Sequence, residues 1–307
     1  MIKLSNGHCL EFLAASGSLG FDGRGYFWEY PLRWLKILDT SLLTIVTKTI
    51  FLEPRKGNFR KHTPLDVIKF ISVDGEVINP FLALLHRSCV AGILNALNLT
   101  GPGFEVWLKR HYSVIRRFNN KVMVSIAGEE EDCLIMVKRL QGLKNIVGVE
   151  YDSSCPSNIE DTERVIRVCS AIKENSDLPL FLKLGYGQPY VTITKAVEGK
   201  VEAISINSVP WRFIFSDRES PLTKYGGGGL SGPLAQAFTR RMMDEIIDET
   251  EIPVIAPSFW DYDTFVNLQR HHRAQAFHFG SIFMFYPCRP TRYIRRWLKE
   301  KDKAAEH

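Results

Sequence analysis

Apolar and polar positions along the chain fall into alternating blocks. Short runs rich in β-branched and aromatic residues recur at about 44–50 (TIVTKTI), 93–97 (ILNAL), 122–127 (VMVSIA), 148–153 (GVEYDS), 180–184 (LFLKL), 202–208 (EAISINS), 253–258 (PVIAPS) and 276–281 (AFHFGS). Most are nearly continuous apolar stretches, the pattern of strands buried on both faces. Between them lie segments with helical spacing, clearest at 103–118, 130–143, 159–174, 233–249 and 291–304. The third starts after Ser157 and Asn158, either of which suits a helix cap, and carries acids in its first turn. The gaps leave room for right-handed crossovers, so the sheet is expected to be parallel. Eight strands alternating with helices over roughly 260 residues predict an α/β fold, a (β/α)8 TIM barrel. A doubly wound open sheet shares the same βαβ grammar and is the competing arrangement.

The 307 residues contain no linker rich in Pro, Gly or Ser, which predicts one domain over 1–307. Its two longest irregular stretches, about 51–80 and 209–232, read as insertions on the face where the strands end, the usual place of a barrel's site.

Composition narrows the class. Hydrophobic residues make up 45% and charged residues 24%, which is globular and excludes disorder as the main state. The net charge of +5 is spread along the chain, unlike the concentrated stripe of a nucleic-acid binder. The C-terminal run RRWLKEKDK reads as a solvated helix face. No window approaches about 18 uncharged apolar residues, so no membrane span is expected. The opening MIKLSNGHCLEF lacks the long apolar core of a secretory signal. Cys9, Cys89, Cys133, Cys155, Cys169 and Cys288 form no C-x-x-C pair, which fits reduced thiols and a cytoplasmic protein.

In a parallel barrel, polar residues at the ends of strands point into the mouth. They include Lys48 and Thr49, Asn95, Ser125, Asp152, Lys183, Asn207 with Ser208, Ser258, and Gly280 with Ser281. Polar strand ends also arise simply because they meet water. Lys48 and Lys183 stand apart, since each sits in an apolar run where an uncompensated ammonium is costly. Cys155, in YDSSCPSN, is followed by Pro156, which stops the strand and leaves the thiol on a loop over the mouth, the setting of a reactive base or nucleophile. Cys133 and Cys169 lie on helices and read as small buried hydrophobes. His278 lies between phenylalanines and reads as pointing outward toward a helix or as a satisfied core residue. The run YGGGGLSGP (Tyr225 to Pro233) precedes a helix and suits a phosphate-approaching loop, as does Gly280 with Ser281. There is no H-E-x-x-H, no clustered ligand set and no Walker-type loop, so no metal is expected.

Taken in order, these motifs resemble the dihydroorotate dehydrogenase family of FMN-dependent barrels, from about residue 10 to 300. AASG at Ser16, VTKTIFLEPRKGN (Val46 to Asn58), NALNL (Asn95 to Leu99), VSIAG (Val124 to Gly128), DSSCPS (Asp152 to Ser157), LKL around Lys183, INS (Ile206 to Ser208), GGLSGP (Gly228 to Pro233) and FGS (Phe279 to Ser281) are similar to the family's motifs in register. The resemblance implies that Ser16, Lys48, Thr49, Ser125, Lys183, Ile206, Gly232, Gly280 and Ser281 hold FMN, with Asp152 at the place of a binding asparagine. It implies that Lys183 faces the pyrimidine edge of the flavin and stabilises charge gained on reduction. Asn95, Asn207 and Ser208 would grip a planar ring substrate, with Leu97 and Leu99 beside them. Cys155 would be the general base, as in the family's soluble class, with Lys48 also in the catalytic set. Relatives commonly form homodimers and pass electrons to fumarate, a quinone, or NAD through a partner subunit. This chain has no G-x-G-x-x-G fingerprint and no iron–sulfur cysteine cluster, and nothing in it specifies the acceptor.

Five positions depart from the family pattern. Asn98 takes a glycine's place. Asp152 and Ser157 replace asparagines, and a carboxylate at Asp152 would repel an anionic substrate unless protonated or paired. Ser258 and Phe259, in IAPSFW, replace the paired glycines that approach the flavin phosphate, where a bulky Phe259 could block it. These departures also suit two other readings, a barrel without flavin or turnover that binds or regulates, and a phosphate-binding aldolase with Lys183 as its Schiff-base lysine.

Overall fold

The computed structural model describes residues 1–26, 29–58, 63–154 and 161–305. Eight strands close a barrel: β1 (Phe12–Ala14), β2 (Thr44–Val46), β3 (Val122–Ile126), β4 (Ile146–Asp152), β5 (Leu180–Leu184), β6 (Ala203–Ile206), β7 (Val254–Ala256) and β8 (Ala276–Phe279). Every neighbouring pair is parallel, and β8 returns to β1 through the register Phe277↔Phe12, His278↔Leu13 and Phe279↔Ala14. The predicted barrel is therefore observed.

One predicted barrel strand is not part of it. Gly92–Asn95 pairs antiparallel with Ile68–Ile71 and Gly229–Ser231, at the centre of a five-stranded sheet over the mouth. The eighth barrel strand is instead Phe12–Ala14, only three residues long. The other strands of the mouth sheet come from the two irregular stretches, which contribute Ile68–Ile71, Val77–Ile78, Val209–Pro210 and Gly229–Ser231.

Helices pack outside the barrel, the longer ones at Glu130–Leu140, Thr162–Asn175, Gln236–Glu249, Tyr262–His271 and Arg289–Ala305. Thr162–Asn175 starts later than its sequence suggests. Asp161 caps it by accepting from Glu163 N, and Ser157 and Asn158 lie outside the described residues.

Two apolar cores follow from the two-residue period of strands. Outward residues such as Val124, Leu182, Phe277 and Phe279 pack under the helices. Inward residues Leu13, Val46, Met123, Phe181, Ala203, Ile255 and Ala276 meet Ile2, Leu4 and Leu10 from an N-terminal hairpin, Ile2–Lys3 with Cys9–Leu10. This cluster plugs the barrel floor. Two residues further along β3, β5, β6 and β8, the same inward face turns polar, at Ser125, Lys183, Ser205 and His278. Among the described residues, no helix is long and apolar enough to cross a membrane.

Candidate functional site

Above the plug, a cavity of about 290 Å³ opens between the barrel and the mouth sheet. Its floor is a charged cluster. The Lys183 ammonium lies 3.6 Å from Asp152 Oδ2 and 3.9 Å from Glu150 Oε1, with Lys183 and Asp152 in register on adjacent strands. Asp152 Oδ2 also accepts from Thr49 Oγ1 at 2.8 Å, and Oδ1 accepts from Ser154 Oγ at 2.5 Å and Ser154 N at 3.2 Å. Burial works against the Asp152 carboxylate, but Lys183, Ser154 and Thr49 outweigh it and hold its pKa below the usual range. Burial likewise opposes the Lys183 ammonium, and the two carboxyl groups more than restore it. The condition set by the sequence, that Asp152 be paired, is met.

Glu150 is fully buried, and burial pushes its carboxyl up toward the neutral form. Its Oε2 accepts from Ser205 Oγ at 2.7 Å, while Oε1 has no hydrogen-bond partner. His278 contradicts its sequence reading. It faces inward, lines the cavity, is 4% exposed, and leaves Nε2 without a partner. Burial and the nearby Lys183 lower its pKa to about 3, so it is neutral. Glu150 and His278 were both missed as site residues. The signal was parity: Glu150 shares a face with Asp152, and His278 shares one with Ala276, which points into the barrel.

Lys48 stands just past β2, with Nζ 5.6 Å from the Phe21 ring centroid. Burial lowers its pKa to about 8, against the pull of Asp152. Ser16 Oγ donates to Thr47 O at 2.9 Å, and its hydroxyl, Thr49 and Ser125 form a chain with steps of 3.2 and 3.1 Å. Ser125 is fully buried beneath the cavity and does not line it.

The opposite wall carries Asn95, whose amide donates to Gly229 O at 3.4 Å, and Asn207, which donates to Ser154 O at 3.3 Å. Ser208 lies against Gly229, where an added Cβ would come within 2.2 Å of its Oγ. Leu97, Leu99, Ile206, Gly280 and Ser281 also line the cavity. Asn98 and Leu99 adopt left-handed φ values of 50° and 46°, so the backbone keeps the shape a glycine would allow. Cys155 and Ser157 lie outside the described residues.

Phe259 lines the cavity without its ring filling it. Its ring turns into the outer core against Phe265, Phe277 and Phe279, and Ser258 adopts a φ of 65°. The next residue, Trp260, fills the space beside Gly232 instead. Gly232 has a φ of 92° and lies beside the cavity rather than in its wall.

The residues present fit a flavin. The buried Lys183 ammonium, the half-buried Lys48, amide donors and a hydroxyl chain gather around the cavity, suited to a polar heteroaromatic ring. Just past β8, Gly280 and Ser281 add backbone N–H groups and a hydroxyl to the lining. Among the described residues no group of three His, Cys, Asp or Glu could hold a metal.

Comparison with known proteins agrees with this geometry. A family model described as dihydroorotate dehydrogenase matches residues 85–257, more than half of the chain. The chain is 30% identical over 269 residues to "Dihydroorotate dehydrogenase B (NAD(+)), catalytic subunit" of Caldicellulosiruptor bescii, covering 83% of this chain and 76% of that protein. Proteins of the same description from Caldicellulosiruptor saccharolyticus and Desulforudis audaxviator are 29% and 30% identical, over 83% and 79% of this chain and 76% and 73% of their own lengths. The match runs through the barrel and the strands that build its mouth, and it favours turnover over a barrel kept only for binding. The chain belongs to the dihydroorotate dehydrogenase family of oxidoreductases.

Proposed function

We propose that the chain oxidises dihydroorotate, or a closely similar dihydropyrimidine ring, with FMN as its bound cofactor. The observation that carries this reading is the meeting of Lys48 and Lys183 with Asn95, Asn207 and Thr49 around one cavity at the mouth of the barrel. When bound, FMN supplies the acceptor for a hydride. Lys183, fixed by Asp152 and Glu150, presents a cation to the polar edge of the ring. Ser16, Thr49 and Ile206 would hold that ring, and Gly280 and Ser281 would hold its phosphate. Asn95, Asn207 and Ser208 orient the substrate through its amide edges, and Lys48 attracts its carboxylate. Cys155 takes the proton from the carbon next to the hydride-donating one, so that one hydride and one proton leave the substrate together. The names of the relatives, which pair NAD(+) with "catalytic subunit", point to an NAD-linked companion subunit as the route for re-oxidation.

The test is direct. The purified chain should carry FMN or take it up, and dihydroorotate should bleach its visible absorbance under anaerobic conditions. Cys155→Ala should slow bleaching by roughly a hundredfold or more at unchanged flavin content, with Cys155→Ser partly active at higher pH. A chain that neither holds nor takes up flavin overturns the proposal. Equal bleaching rates in all three proteins remove Cys155 from the chemistry.

A further inference from the structure

The segment after β7 carries a tryptophan that the proposed chemistry leaves unused. Trp260 is 4% exposed and held from several sides. Its carbonyl accepts from Arg289 Nη1 at 2.7 Å and from the Tyr293 hydroxyl at 2.8 Å. Its ring stacks on Phe285, with centroids 5.7 Å apart and planes at 27°. A Cβ added to Gly232 would come within 2.6 Å of the indole, so the ring lies against that glycine's bare Cα. Its Nε1–H donates to Ser281 Oγ at 3.1 Å.

That last bond has a direction. An indole nitrogen is a donor only, so it occupies a lone pair on Ser281 Oγ. The hydroxyl keeps its own proton for a different acceptor, and no such acceptor is found among the described residues. Ser281 and Gly280 line the cavity just past β8, where barrels commonly hold a phosphate. The geometry points to Trp260 as a specificity-determining positioning residue. By filling one side of the Ser281 hydroxyl it turns the proton toward the cavity and makes the site select a phosphate monoester. The chain then prefers FMN to riboflavin, the same ring without the phosphate. This rests on the flavin reading above.

The experiment compares the two flavins on flavin-free full-length protein, by fluorescence titration of wild type, Trp260→Phe, Ser281→Ala and the double variant. Wild type should bind FMN more tightly than riboflavin. Trp260→Phe should weaken FMN by about 5- to 20-fold while changing riboflavin less than about twofold, the scale of one charge-assisted hydrogen bond lost from its best orientation. Ser281→Ala, which keeps the tryptophan packing, should show the same selective loss, and the double variant should be no weaker than Ser281→Ala alone. Equal losses for both flavins, or additive losses in the double variant, mean that Trp260 only packs, and the inference fails. Equal binding of FMN and riboflavin by wild type also overturns it while leaving the flavin reading intact. Binding of neither flavin overturns both.

Discussion

Asp152 shows how one residue can be read as a liability and act as an organiser. Its two oxygens take both Ser154 donors on one side, and Thr49 and Lys183 on the other. A residue with one oxygen and one NH2 group cannot do this, since the NH2 would face hydroxyl and ammonium donors. Asp152→Asn should therefore destabilise the flavin-free protein, by about 3 kcal/mol on the scale of a buried pair that loses one partner. The midpoint of urea unfolding reads this, and an unchanged midpoint would mean Lys183 is fully served by Glu150. Sequence alone exposed the charge at 152 but not its donors, because Thr49 and Ser154 reach it only once β2 and β4 are placed in the same barrel. Glu150 and His278 were legible in principle from strand parity. Phenylalanines on both sides of His278 drew attention to the outer face, where only the neighbours point.

At the level of elements, strand content was legible wherever apolar runs are long, as in β3, β4 and β5. It was not legible at β1, where three residues pair between β8 and β2 and little local pattern exists. Gly92–Asn95 reads as a barrel strand because its residues are as apolar as those of one. Only the antiparallel partners supplied by distant loops place it over the mouth. The Ser258–Trp260 segment was visible as a break in pattern, and all three residues line the cavity, but the indole of Trp260 beside Gly232 could not be read from the sequence. Ser258 holds a φ of 65°, which costs a non-glycine residue about 1–2 kcal/mol. Glycine avoids that strain but loses roughly 0.5–1 kcal/mol of chain entropy. Ser258→Gly should leave stability unchanged or raise it by up to about 1 kcal/mol in thermal unfolding. A clear loss would show that the serine side chain itself supports the turn.

Across the whole molecule, the barrel gathers charge toward its mouth. Lys48 and Lys183 face the ionised Asp152, with Glu150 pushed toward neutrality, so positive charge is in surplus where an anionic ring would sit. Lys48 titrates at about 8. An anion beside it raises that value, so binding takes up a proton once the pH exceeds 8. Orotate affinity should then fall by up to about tenfold per pH unit above 8. Lys48→Arg, which stays charged, should flatten the profile in flavin-monitored titrations from pH 7 to 10. A flat wild-type profile would take Lys48 away from the ligand. The fold and the positions of both lysines could be anticipated from the sequence, because barrel geometry sends strand ends to one face. The plugged floor carries a kinetic meaning as well. With Leu13, Phe181 and the N-terminal hairpin filling the lower barrel, the described residues close its floor, and the cavity is reached from the mouth. Substrate and product then share the mouth as their passage, so product left in the cavity should hold off fresh substrate and inhibit competitively against it.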